Sequence, residues 1–267
     1  MVKLCVLDLD GTLLRGGQLL ESDRKSLLDI QKLGVTVMLA TGRNMQDASE
    51  FVEKLQLKEH QGIVAYSDGQ YIYDFNDGIY REFEHLTYTE DVQYIYGLYT
   101  GKRALSLFCK NADYVVFRSA FSKEYMMHHL KKLCSRSKAR ALVFHKKYSI
   151  EDIDEIAIYA AERDLDVPKL KLDYDVVFAN DKQRYELKHR NVNKARAVKE
   201  IAAKYQLTDE EIAVFGNDEN DVCLFEVYKH SFCMEDASAI TSSKANRIIS
   251  QEKIVDTIYQ LIEGQSD

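Results

Sequence analysis

Apolar positions follow two rhythms along the chain. Leu4, Cys5, Val6 and Leu7 form a short run without helical spacing, which predicts a strand buried on both faces. After a polar, glycine-containing connection, Leu27, Leu28, Ile30 and Leu33 recur at helical intervals, with Ser22 as the expected N-cap and Gly34 as the stop. Residues 35–40 read as a second buried strand, Ala48, Phe51, Val52 and Leu55 mark a second helix, and residues 63–66 form a third strand. Asn76-Asp77-Gly78 is the predicted turn of a β-hairpin between Tyr71-Ile72-Tyr73 and Ile79-Tyr80. Strands alternating with helices through short polar connections predict a parallel sheet with right-handed crossovers.

From about residue 81 the texture changes. Helices are expected over 89–97 and 123–134, and strands over 104–109, 114–117, 141–144 and 156–159. Residues 176–179 and 184–187 form a further expected hairpin, and Pro168, the only proline, falls in a loop. Helices mixed with paired strands read as an α+β insertion rather than a continuation of the sheet. The first rhythm then returns: a helix carries Val192, Ala195, Val198, Ile201 and Ala202, and residues 212–215 form a buried strand. A helix with Val222, Leu224 and Phe225 follows, then strands at 232–234 and 247–249 and a closing helix over 253–262. The expected architecture is α/β: a Rossmann-like, three-layer, parallel-sheet core from residues 1–82 and 184–267, with an α+β domain inserted at 83–183.

Candidate chemistry clusters where these strands end. In open α/β sheets ligands bind beyond the carboxyl ends of the strands, and Asp8, Asp10, Thr41 and Ser67-Asp68-Gly69 all fall there. Residues two apart on a strand share a face, so Asp8 and Asp10 can address one point. Two carboxylates that close invite a hard divalent cation. Lys194 stands in the first turn of its helix, where a cation is unfavourable unless an anion compensates.

Asp8-Leu9-Asp10-Gly11-Thr12, Thr41-Gly42-Arg43, Lys194 and Gly216-Asn217-Asp218-Glu219-Asn220-Asp221, in that order, resemble the haloacid dehalogenase superfamily of phosphohydrolases. The insertion between the Thr41 and Lys194 motifs is similar to the type IIB cap of its Cof-like subclass. The resemblance implies that Asp8 attacks phosphorus to form an aspartyl-phosphate. It implies that Asp10 protonates the leaving alcohol and later deprotonates water. Thr41, Gly42, Lys194 and Asn220 are then expected on the phosphate, and Asp8, Asp10, Asn217 and Asp221 on a Mg²⁺ ion. Arg43 either braces the loop through an ion pair or touches substrate. The cap is expected to cover the site and to read the rest of the substrate.

Two positions depart from the family pattern. Asn217 stands where the family usually has Asp, so it is a neutral ligand, or Asp218 or Asp221 supplies the missing carboxylate. Asp68 stands where Asn commonly precedes the glycine.

Composition narrows the field further. A net charge of −7 leaves no electrostatic footprint for nucleic acid or anionic lipid, so neither is an expected partner. The opening run is broken by Asp8 and Asp10 and is no signal peptide, and no apolar run is long enough to span a bilayer. Five scattered cysteines without a C-x-x-C pair read as reduced thiols, hence a cytoplasmic protein. A monomer or a small homo-oligomer is expected. The expected activity is Mg²⁺-dependent hydrolysis of small phosphorylated metabolites, sugar phosphates by resemblance. The rivals are a phosphomutase of the same superfamily and a non-catalytic phosphometabolite-binding protein.

Overall fold

The structure, a computed structural model, describes residues 1–86, 105–110, 114–117, 140–143, 150–159, 174–179 and 184–264. It has two compact units, Met1–Phe83 with Val192–Asp267, and Glu84–Asn191. The helices expected over 89–97 and 123–134, the loop at Pro168 and the last residue of the strand expected at 141–144 lie outside the described residues.

The first unit begins with β1 (Leu4–Leu7), α1 (Glu21–Lys32), β2 (Thr36–Ala40), α2 (Met45–Lys54), β3 (Ile63–Tyr66), β4 (Tyr71–Asp74) and β5 (Ile79–Glu82). Helix α1 starts one residue before Ser22, so Ser22 lies within the first turn and is not the cap. Leu20 holds the N-cap position without a side-chain bond, and Glu21 and Asp23 supply the negative charge that the helix N-terminus favours. The hairpin forms as expected, with Tyr73 opposite Tyr80.

The second unit contributes β6 (Leu105–Cys109), β7 (Tyr114–Phe117), β8 (Arg140–Val143), β9 (Ile153–Tyr159), β10 (Tyr174–Ala179) and β11 (Arg184–His189). They form a sheet in the order β10-β11-β9-β6-β7-β8, antiparallel except for the β7–β8 pair. Residues 184–191, expected in the core, belong here instead, because β11 pairs with both β10 and β9.

The chain returns to the first unit through α3 (Lys194–Tyr205), β12 (Ile212–Gly216), α4 (Val222–Phe225), β13 (His230–Met234), α5 (Ala239–Ser242), β14 (Arg247–Ile249) and α6 (Ile254–Glu263). Its sheet runs β14-β13-β12-β1-β2-β3-β4-β5, parallel from β14 to β3. Alternation along β1 sends Cys5 and Leu7 into a cluster with Leu27, Phe51 and Ile258, and Leu4 and Val6 into a second with Val198, Ile201 and Leu224. That is the expected three-layer arrangement: helices on both faces, with β1 fully buried between them.

Strand order fixes where a ligand belongs. From β1 the chain winds one way through β2 and β3, and later winds the other way from β12. The carboxyl ends of β1, β12 and β2 therefore border the crevice at the topological switch point. Among the described residues no helix is long and apolar enough to cross a membrane.

Candidate active site

Asp8 follows the last residue of β1 and is 5% exposed. Its Oδ1 lies 2.7 Å from Nζ of Lys194, the first residue of α3, and the same Nζ lies 2.7 Å from Asp221 Oδ1. Asn193 caps that helix by accepting from the Arg196 N–H at 2.9 Å, which fixes where Lys194 emerges. A fully buried cation at a helix N-terminus opposes the helix dipole, and the two carboxylates answer it. Burial alone would depress the Lys194 ammonium, but Asp221 and Asp8 outweigh it and hold its pKa above the usual range. Burial pushes the Asp8 carboxyl up to about 7, with Lys194 pulling it back and Asp221 and Asp10 adding to the rise.

The loop after β12 is built around Asp221. Its Oδ2 accepts from the backbone N–H of Asn217 at 2.9 Å and of Asp218 at 3.1 Å. A Cβ on Gly216 would fall 2.4 Å from Asp221 Cγ, so only glycine lets the loop close on that carboxylate. Asp218 Oδ1 in turn accepts from the Glu219 N–H at 2.8 Å. Asp221, expected among the metal ligands, thus has both oxygens engaged by protein donors and acts as the loop's keystone and the partner of Lys194.

Asn217 faces the first motif. Its Oδ1 accepts from Thr12 Oγ1 at 3.1 Å, and a Cβ on Gly11 would stand 2.1 Å from its Nδ2. Gly11 also has φ +78°, so the position needs glycine on two counts. Sequence reasoning missed Gln251, whose Nε2 donates to the carbonyls of Gly11 at 2.7 Å and Thr12 at 2.8 Å. No local pattern marks a glutamine 240 positions away as the anchor of this loop.

Thr41 follows β2 and is 1% exposed. Its hydroxyl oxygen accepts from the Arg43 N–H at 3.1 Å, and it donates its own hydrogen to no described residue. Gly42 lies against Asp68, where a Cβ would stand 3.3 Å from Oδ1. Asp68 has left-handed φ +54°, donates its N–H to the Thr41 carbonyl at 2.9 Å and is buried. Asn220, expected on the phosphate, donates Nδ2 to Asp68 Oδ1 at 2.7 Å, while its buried Oδ1 has no hydrogen-bond partner among the described residues. Asp68 is also a third carboxylate acting on Lys194. The signal for it was its departure from the family's asparagine.

Asp10 takes a different partner from Asp8. The strand ends at Leu7, so the shared-face rule lapses before Asp10. Its Oδ2 and Oδ1 accept from Arg43 Nε at 2.7 Å and Nη2 at 2.6 Å, a two-pronged fork. Arg43 therefore braces the loop through an ion pair, the first of its two expected roles.

The structure thus brings Asp8, Lys194, Asp221, Asn217 and the 11–12 turn into one connected set, and joins Thr41 to Asp68, Asn220 and Arg43 beside it. Among the described residues no three His, Cys, Asp or Glu side chains converge as a metal cage. Asp8, the Asp10 backbone carbonyl and Asn217 nonetheless offer hard oxygen donors, and no described residue donates a hydrogen bond to Asp8 Oδ2.

Residues 5–262 match the model of the haloacid dehalogenase-like hydrolase family. The chain belongs to that family. It is 24% identical over 249 residues, covering 92% of its length and 89% of the relative's, to the 5-amino-6-(5-phospho-D-ribitylamino)uracil phosphatase YcsE of Bacillus subtilis. Its fold is similar to SMU.1108c of Streptococcus mutans, with TM-score 0.76 and 17% identity over 98% of this chain and all of that one (100%). The subclass IIB sugar phosphatase BT4131 is likewise similar, with TM-score 0.72 and 15% identity over 99% and 100% of the two chains. The enzyme class expected from the motifs, a hydrolase of phosphate monoesters, agrees with the family and with these relatives.

Proposed function

We propose that this haloacid dehalogenase-like hydrolase is a Mg²⁺-dependent phosphatase of small phosphorylated metabolites, sugar phosphates foremost, working through an aspartyl-phosphate on Asp8. The observation that carries this reading is the buried Asp8–Lys194–Asp221 triad at the switch point of the sheet. Asp8 attacks phosphorus through the oxygen that Lys194 leaves free. Lys194, already ordered by two carboxylates, neutralises charge that grows on the phosphoryl oxygens, and the unspent Thr41 hydroxyl donates to one of them. Asp10 gives its proton to the departing alkoxide and then takes one from the attacking water. Asp8 through its carboxylate, Asp10 through its backbone carbonyl and Asn217 through its side-chain oxygen would hold the Mg²⁺ ion, which would screen the carboxylate from the anionic ester. We assign Asp221 to orienting Lys194 rather than to the metal. The free thiols of Cys5, Cys109, Cys223 and Cys233 support a cytoplasmic setting. The unit Glu84–Asn191 is the part we assign to reading the substrate beyond its phosphate.

The test is phosphate release from a panel of phosphorylated metabolites with and without Mg²⁺. Metal-dependent release, concentrated on sugar phosphates and absent from Asp8→Ala, is expected. Isomerised esters without free phosphate would favour a phosphomutase, and no turnover of any ester would overturn the phosphatase reading.

A further inference from the structure

Arg43 is held more firmly than the carboxylate it grips. Its side chain is 16% exposed, against 58% for that of Asp10. The guanidinium lies 5.0 Å over the ring of the fully buried Phe51, and Nη1 donates to the Asp47 carbonyl at 3.3 Å. The Arg43 backbone is fixed as well: its N–H donates to Thr41 Oγ1 at 3.1 Å, and its carbonyl accepts from the Ser67 N–H at 2.9 Å. Asp10 is mostly exposed, and the fork from Arg43 grips both of its oxygens and ties it to the strand end that carries Thr41.

We propose that Arg43 is the positioning residue that aims Asp10 at the leaving-group oxygen, an inference that rests on Asp10 being the general acid and base. A proton on one Asp10 oxygen breaks one arm of the fork, and the other arm keeps the carboxyl in place. As the phosphorus–oxygen bond breaks, that proton passes to the departing oxygen and the full fork re-forms. Deprotonating the hydrolytic water then restores the proton to Asp10, so the cycle consumes none. A planar fork does this and an ammonium does not, so lysine is a poor replacement.

The consequence depends on the leaving group. A primary alkoxide is strongly basic and needs protonation as it departs, whereas 4-nitrophenolate does not. The parameter kcat/KM covers the steps up to departure of the alcohol, so it isolates the protonation step from later hydrolysis. The experiment measures kcat/KM with Mg²⁺ for glucose 6-phosphate and for 4-nitrophenyl phosphate in wild type, Arg43→Gln, Arg43→Lys and Asp10→Asn. For both Arg43 variants the loss on the alkyl ester should exceed the loss on the aryl ester at least tenfold, with Asp10→Asn showing the same bias. Equal losses on both esters in the folded Arg43 variants, with the bias kept in Asp10→Asn, would overturn the positioning role alone. Equal losses in Asp10→Asn would instead overturn the assignment of Asp10 as acid. Thermal unfolding identifies folded variants, and Arg43→Lys, which keeps the charge, serves if Arg43→Gln does not fold.

Discussion

Replacing Lys194 by Met tests the buried triad where it is most exposed to failure. The side chain is fully buried, with 2.7 Å contacts to two carboxylates that are themselves nearly inaccessible. Methionine matches the length and removes the charge, leaving Asp8 and Asp221 facing each other without compensation. Breaking a buried pair in this way costs about 3–5 kcal/mol, a large part of the roughly 5–15 kcal/mol that holds a typical domain together. A fall in Tm of roughly 6–20 °C follows, at about 2–4 °C per kcal/mol for chains near this size. The penalty also has a pH signature in chelator-treated protein. Asp8 already has its pKa raised to about 7 from 3.8, and losing the cation raises it further. A carboxyl with a raised folded-state pKa loses stability as pH climbs toward that value, and the variant goes on losing it after wild type has stopped, so the deficit should stay constant from pH about 5 to about 7 and widen above about 7. Activity should fall about 10²–10³-fold, as for other lost transition-state donors. Urea unfolding across that pH range and phosphate release at saturating Mg²⁺ provide the measurements. A variant within about 1 kcal/mol of wild type at every pH, with activity retained within a few-fold, would refute the reasoning.

Asn217→Asp should tighten Mg²⁺, because a carboxylate replaces a neutral amide among the oxygen donors; an unchanged Mg²⁺ titration of activity would remove Asn217 from the ligand set. Glu211 accepts from Lys3 at 2.6 Å and from the Thr208 N–H at 2.9 Å, and these contacts, Lys3 first, lower its pKa from 4.5 to about 2. A depressed carboxylate stabilises above its unfolded pKa and loses that stabilisation as pH falls through the folded one. Wild type should therefore exceed Glu211→Gln in Tm at pH above 4.5 and converge with it near pH 2, and parallel curves would contradict the pairing.

Much of the fold was legible because β1, β2, β3 and β12 are so apolar that no other element accommodates them. Lys194 declared its need for anions by standing at a helix start, and Asp8 and Asp221 meet it there. The hold of Asp221 on Lys194 and on the Asn217 and Asp218 amides was not legible, since an aspartate in a polar loop looks the same in sequence whether a metal or backbone amides face it. The Asp10–Arg43 fork spans 33 positions between two turns, where no periodicity operates, so it surfaced only as one of two options. The boundary near 191 was missed because β11 carries the polar–apolar alternation of any half-buried strand, and only its pairing with β9 and β10 shows which sheet it joins. Ser22 failed as a cap because helix starts are ambiguous by a residue or two from sequence.

The most direct measurement of the central claim is chemical trapping of the intermediate on Asp8. Enzyme quenched during turnover of a phosphate ester with Mg²⁺ is reduced with borohydride, which converts an aspartyl-phosphate to homoserine, and the peptide holding residue 8 is read by mass spectrometry. Homoserine at position 8 that depends on substrate and metal is the predicted result. An active enzyme whose position 8 stays aspartate, with the label on another residue, would contradict it.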